Sequence, residues 1–223
     1  MPGAIDAAIA GRFSIEVDVQ LTKDGEAVVH HDDKLGRLNE GSAALVDLTV
    51  SELKGVKFKD TPEQIMTLGD LLNRIAGRTG LVVEIKSHYD GDRRIVQRTA
   101  ELLSAYAGPA VAMSFDPDQL MTLKDIAPHL PRGIVAQRDY YKDDYWNKLT
   151  AAQKHDMTAL RHAFRTRPDF VAFRVDDLPA PAPWIANHIF GRPLLTWTVR
   201  TQDQRARAGG HADQMIFEGF RPE

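Results

Sequence analysis

The sequence contains no cysteine. This excludes a disulfide framework and any thiolate metal site, but it does not choose a compartment. An excess of either charge is also missing: 28 Lys and Arg stand against 31 Asp and Glu, a formal net charge of −3. A general nucleic-acid binder would carry a strong basic excess, so the balance argues against nucleic acid as a partner. No apolar run approaches the length that spans a bilayer, and stable membrane insertion is not expected. The opening residues, MPGAIDAAIAGRF, read as a short helix and lack the basic start and long apolar segment of a signal peptide. A cytoplasmic location is the resulting expectation. No internal repeat or low-complexity segment is present. No Gly-rich dinucleotide fingerprint follows the first strand-like run, which weakens a Rossmann reading.

What is present is enough for a core. A chain of 223 residues with 43% hydrophobic content can bury one as a single domain over residues 1–223. Apolar, β-branched runs at residues 14–21, 81–86, 110–115, 133–137, 170–175, 194–199 and 214–218 read as strands. Helical spacing occupies residues 68–75, 95–106, 118–126, 158–164 and 184–190. This alternation predicts a parallel sheet covered by helices. Seven such strands in a chain of this size favour an α/β, TIM-type (β/α) barrel over an open doubly wound sheet. Residues 32–66 break the alternation and read as an insertion at the top of the barrel, where Thr49 or Ser51 caps a short helix. Residues 139–156 read as a long βα loop with helical turns.

The most informative stretch is SIEVDVQLTKDGEAVVHHD, residues 14–32. Glu16 and Asp18 are two residues apart, so on a strand they share one face, with Val17 and Val19 on the other. Two such carboxylates repel each other and are costly to desolvate. They are tolerated if a metal ion sits between them, if one is protonated, or if that strand end opens to water. Glu84 and Lys86 repeat the same phase on the next parallel run, with Val83 and Ile85 opposite. Barrel enzymes build their sites at the C-terminal ends of strands. Three carboxylates and one ammonium would converge there, and a hard divalent cation, Mg²⁺ or Ca²⁺, is the natural neutraliser. Lys86 would hold a substrate phosphate as a point charge. After a turn at Lys23-Asp24-Gly25, a second short run ends in His30, His31 and Asp32. Each feature alone has a bland reading: a strand-end salt bridge for Glu84 and Lys86, a hydrogen-bonded loop histidine for His31. Their recurrence in phase is what favours a metal site. His88 continues the phase of Glu84 and Lys86, but its place in the following loop reads as solvated.

The run IEVDVQLTKDGEAVVHHD resembles the signature of glycerophosphodiester phosphodiesterases. So do VVEIK at residues 82–86, the Asp-Leu-Thr-x-x-Glu-Leu pattern at 47–53, Thr67-Leu68, Ser114-Phe115 and Trp197-Thr198-Val199. The resemblance implies a (β/α) barrel with a small insertion after the second family strand. It implies divalent-metal-dependent hydrolysis of glycerophosphodiesters to glycerol 3-phosphate and an alcohol. Residue by residue, it implies Glu16, Asp18 and Glu84 as metal ligands and His31 as one of two catalytic histidines, with His30 at the variable position before it. Lys86 falls near the phosphate, and Trp197 is an aromatic wall for the alcohol or glycerol group. The family's His-Arg-Gly triplet has no match in the sequence. By this resemblance Met1 is expected to be an internal methionine. The first barrel strand, the other catalytic histidine, a phosphate-binding arginine and a further metal-ligand Glu would then be encoded upstream. A sheet edge left open would favour association with a second copy. Two rival readings stand beside this one: a non-catalytic barrel that binds phosphodiesters or associates through its edge, and a phospholipase D of the sphingomyelinase type.

Overall fold

A computed structural model describes residues 1–222. The chain divides into two compact units, Met1–Met113 with Thr122–Leu130, and Ser114–Met121 with Pro131–Glu223. The first unit contains α1 (Pro2–Ala10), β1 (Ile15–Leu21), β2 (Ala27–Val29), α2 (Val50–Leu53), α3 (Leu68–Ile75), β3 (Leu81–Ile85), α4 (Arg94–Ala105) and β4 (Ala110–Ser114), after which comes α5 (Pro117–Ile126). Gly25, at a φ of 82°, lets the chain reverse after β1. β2 therefore folds back antiparallel, with Val19 opposite Val29. β3 pairs with β1 in parallel and places Glu84 opposite Asp18; β4 continues in parallel beyond β3.

Alternation then sorts the side chains. Val17, Val19, Val83 and Ile85 are buried in one cluster with Leu68, Leu71 and Ile75 of α3 and Ile95, Val96 and Leu103 of α4. Each such aliphatic side chain stabilises the fold by about 1.5–3 kcal/mol. The opposite face of β1 and β3 is thereby left to the acids. α3 starts where Thr67 accepts from the Asp70 N–H and Asp70 accepts from the Thr67 N–H, a reciprocal cap worth about 1 kcal/mol. In the segment between β2 and α3, Leu35, Leu45, Leu53 and Ile65 form an apolar cluster of their own with Val28. Bridges pair Lys34 with Ala44 and Asn39 with Phe58. Thr49, not Ser51, caps α2, in a box with Glu52.

The second unit contains β5 (Arg132–Ala136), α6 (Ala151–Thr158), α7 (Ala163–Thr166), β6 (Phe170–Arg174), α8 (Pro181–His188), β7 (Leu194–Val199), α9 (Gln202–His211) and β8 (Gln214–Phe217). Its four strands pair in parallel in chain order. Ile134, Ala136, Leu160, Val171, Phe173 and Leu194 form its core. The seven expected strands are all present within a residue or two of their expected bounds. The helix expected at 158–164 is a correction. α6 ends at Thr158, whose hydroxyl turns back to the carbonyls of Lys154 and Arg138. Leu160 then takes a φ of 53° and breaks the helix before α7. α6 itself lies partly inside the expected 139–156 loop, started by a Thr150–Gln153 capping box. α8 begins three residues earlier than expected, because Pro181 suits the first helical turn. α9 has no counterpart among the expected helices: it buries only Ala208 and carries two glycines. Among the described residues no helix is long and apolar enough to cross a membrane.

Candidate active site

The parallel register of β1 and β3 assembles the acids. The carboxylates of Glu16, Asp18 and Glu84 each offer an oxygen, and these oxygens lie within 4.8 Å of one another. Lys86 follows β3 directly, held by its backbone N–H on the Val19 carbonyl at 3.2 Å. Its Nζ donates to Asp18 Oδ1 at 2.7 Å and to Glu84 Oε1 at 2.6 Å. With all four groups ionised the cluster carries a net charge of −2. Burial pushes the Glu84 pKa up, the Lys86 charge opposes this, and the Asp18 charge adds to it. Burial works against the Lys86 ammonium, but the Glu84 and Asp18 carboxylates together outweigh it and hold its pKa above the ordinary lysine range. The donor set is oxygen only, closely spaced and negatively charged, which suits one hard divalent cation.

A second group of residues comes from the end of the hairpin. The His30 N–H donates to the Asp18 carbonyl at 3.0 Å, and Gln20 Nε2 donates to the His31 carbonyl at 3.0 Å. His31 Nδ1 lies 2.7 Å from Asp32 Oδ1. The Arg37 guanidinium grips the same carboxylate with Nε at 2.7 Å and Nη2 at 2.8 Å. These Arg37 hydrogen bonds, opposed by burial and aided by His31, hold the Asp32 pKa down at about 2. An ionised Asp32 places the His31 proton on Nδ1 and leaves Nε2 as the free basic nitrogen. The His31 side chain is 62% exposed, open to a reactant. It is also near enough to Glu84 to act on it electrostatically. His30 differs: it is buried, with Nδ1 2.8 Å from the Asp32 carbonyl and Nε2 2.8 Å from Asn39 Oδ1. Both its nitrogens are spent on holding the loop.

Trp197 lies in the second unit, on β7. Its indole N–H donates to the Ala172 carbonyl at 3.1 Å, and its ring meets Phe115 edge-on with centroids 5.5 Å apart. Phe115 in turn packs on Trp146 at 5.0 Å and Tyr140 at 6.4 Å. Thus Tyr140 and Trp146, expected only as loop residues, belong to an aromatic cluster with Trp197. His88 is exposed beyond β3. Three residues that hold the first-unit site lie outside the sequence expectation. Gln20 continues the phase of Glu16 and Asp18 and is readable from it. Arg37 and Asn39 carry no local signal, since both act across a loop.

The chain matches the model of the glycerophosphoryl diester phosphodiesterase family over residues 3–215. It is 36% identical over 138 residues to a glycerophosphodiester phosphodiesterase of Caldanaerobacter subterraneus subsp. tengcongensis, covering 57% of this chain and 56% of that protein. A glycerophosphodiester phosphodiesterase of Bacillus subtilis is 29% identical over 138 residues, covering 52% and 47%. The chain therefore spans about half the length of these curated relatives. Among solved structures, a phosphodiesterase of Oleispira antarctica, in complex with the product sn-glycerol-3-phosphate, superposes with a TM-score of 0.78 at 18% identity, covering 97% of this chain and 85% of that one. A glycerophosphodiester phosphodiesterase of Thermotoga maritima gives 0.71 at 21%, covering 97% and 86%. The fold is thus the α/β, TIM-type barrel class that the alternation of strands and helices predicts. With the family model covering nearly all of the described residues, the chain belongs to the glycerophosphoryl diester phosphodiesterase family.

Proposed function

We propose that the chain is a divalent-cation-dependent hydrolase of glycerophosphodiesters, releasing glycerol 3-phosphate and an alcohol. The observation that carries this reading is the three-carboxylate cluster within 4.8 Å, beside an exposed histidine whose partner acid is held ionised. When bound, a Mg²⁺ or Ca²⁺ ion would offset the negative charge of the site and act as a Lewis acid on the phosphate. Glu16, Asp18 and Glu84 are the residues that would hold it. Lys86 adds a fixed positive charge that offsets negative charge growing on the phosphate oxygens. His31 Nε2 exchanges a proton with the nucleophile or the leaving oxygen, and Asp32 stabilises the imidazolium that results. Arg37 and Gln20 act through these groups as positioning residues. In the same reading residues 32–66 are an insertion within one phosphodiesterase-type domain. The glycerol 3-phosphate complex of the Oleispira enzyme supports the product class.

A second reading, binding without turnover, draws on one fact. His31 is the single imidazole matched to the family's pair, since no His-Arg-Gly triplet occurs in the sequence. One experiment separates the two: release of glycerol 3-phosphate from glycerophosphocholine, followed by a coupled assay with Mg²⁺ or Ca²⁺ and then with chelator. Release that needs the cation and is lost in Glu16→Ala is the expected result. A folded, cation-binding chain that releases none would overturn hydrolysis and leave binding.

A further inference from the structure

One face of the second unit is apolar and cationic together. α7 and α8 both cover the core of that unit, through Ala163 from α7 and Ala182 and Ala186 from α8. Their outer sides, and the connection that follows α8, carry large apolar groups in water. Phe164 is 81% exposed, Trp184 51%, Ile185 43%, Ile189 63% and Phe190 61%. A monomer surface seldom leaves such groups clustered without a use. The charge carried by these segments themselves is of one sign. Residues 157–168 and 179–193 contain no Asp or Glu, in a chain with an overall charge of −3. They carry Arg161, Arg165, Arg167 and Arg192, all exposed. Arg161 has a 3.7 Å ion pair with Asp156. Acids near these segments are engaged in hydrogen bonds of their own. Asp169 accepts from the Arg132 N–H, and Asp213 from the Leu194 N–H and Asn187 Nδ2.

Register fixes where this face sits. Val171 near the start of β6 pairs with Leu194 at the start of β7. Residues 167–169 and 191–193, which precede these strands, therefore meet at the N-terminal end of both. The α8–β7 connection that bears Ile189, Phe190 and Arg192 lies at that end, away from the strand ends where barrel enzymes carry their chemistry.

We propose that this face docks peripherally on an anionic lipid surface. Trp and Phe side chains favour the headgroup level of a bilayer, and arginines around them add attraction to anionic lipid. A second copy of the same face fits less well, because a two-fold contact would set arginines against arginines. A docked chain would keep the C-terminal ends of β6 and β7 turned toward water.

The test is co-sedimentation of the purified chain with phosphatidylglycerol vesicles and with phosphatidylcholine vesicles. Binding to the first and not the second is expected, weakening as salt is raised. Each arginine near an anionic surface contributes roughly fivefold to binding. The combined variant Arg161→Gln, Arg165→Gln and Arg167→Gln should thus bind roughly a hundredfold more weakly. The pair Ile189→Glu and Phe190→Glu should abolish binding while circular dichroism stays unchanged. Should the arginine variant fail to fold, the salt dependence of the unaltered chain and the Ile189/Phe190 pair still decide. Three results would overturn the proposal: no binding to phosphatidylglycerol, binding that neither variant weakens, or a dimer in analytical ultracentrifugation that the Ile189/Phe190 pair dissociates.

Discussion

Replacing Lys86 by Met keeps the length of the side chain and removes its charge. In the unaltered chain that ammonium sits 2.7 Å from Asp18 and 2.6 Å from Glu84, and these three side chains are 17%, 16% and 9% exposed. Coulomb's law at an effective dielectric constant near 20 gives each contact roughly 6 kcal/mol. The ammonium's own desolvation penalty, which the variant escapes, offsets much of the sum. Loss of one partner from a buried pair costs about 3–5 kcal/mol in measured cases, and that is the expected range here. For a chain of this size it corresponds to a fall in Tm of about 6–20 °C in chelator-treated buffer. Addition of saturating Mg²⁺ or Ca²⁺ should recover a large part of the loss, because the cation meets carboxylates that no longer share charge with an ammonium. Differential scanning calorimetry with and without cation reads both effects. A fall of less than about 2 °C, under 1 kcal/mol, would show that the three carboxylates do not depend on Lys86. The charge balance drawn for the site would then be wrong.

Three further outcomes follow from the same geometry. Glu16→Ala and Asp18→Ala should each remove the cation-induced rise in stability, which is about 2.7 kcal/mol when the cation is at a hundred times its Kd; a rise that persists in both variants removes them from the ligand set. His31→Gln should lower glycerol 3-phosphate release by about 10²–10⁴-fold with the thermal stabilisation by cation intact, whereas unchanged turnover would rule out its proton-transfer role. His162 is buried, neither ring nitrogen has a hydrogen-bond partner among the described residues, and burial, with the Arg165 charge adding, lowers its pKa to about 4. Between pH 6.5 and 4 the unfolded chain takes up a proton that the folded chain refuses, so stability falls as pH drops through this window, by roughly 3 kcal/mol at its lower end. His162→Phe should flatten that slope in urea denaturation at the two pH values, and an unaltered slope would refute the assignment.

Much of the first unit is legible in its residue pattern. Val17 and Val19 alternate with Glu16 and Asp18, and a strand with one apolar and one acidic face has few other folds. Leu68, Leu71, Leu72 and Ile75 recur at helical spacing behind Thr67, so α3 is where spacing and cap agree. α9 escapes such reading because it buries a single alanine and has no apolar stripe. The break at Leu160 escapes it because a left-handed leucine is imposed by the core that it enters, not by its neighbours along the chain. For the site, the phase of the acids is legible, but their meeting is not. It depends on Asp18 standing opposite Glu84, a pairing between segments that lie far apart in the chain. The Arg37 fork on Asp32 and the Asn39 contact to His30 belong to loop geometry, which no periodicity encodes.

The Asp18–Glu84 pairing also imposes an arithmetic of odd and even on how this chain can change. Removing one residue within β1, or slipping it by one place against β3, would send Glu16 and Asp18 into the greasy layer beneath the sheet and bring valines out in their stead. A shift by two would restore the facing but break the match in height. Beyond the residues that hold His31 (through Asn39), the remainder of the stretch between β2 and α3 obeys no such constraint, since its apolar cluster is local and the stretch as a whole is pinned by Val28 and Thr67. Length variation should therefore be tolerated there and be forbidden within the two acidic strands, whatever reaction the cluster supports.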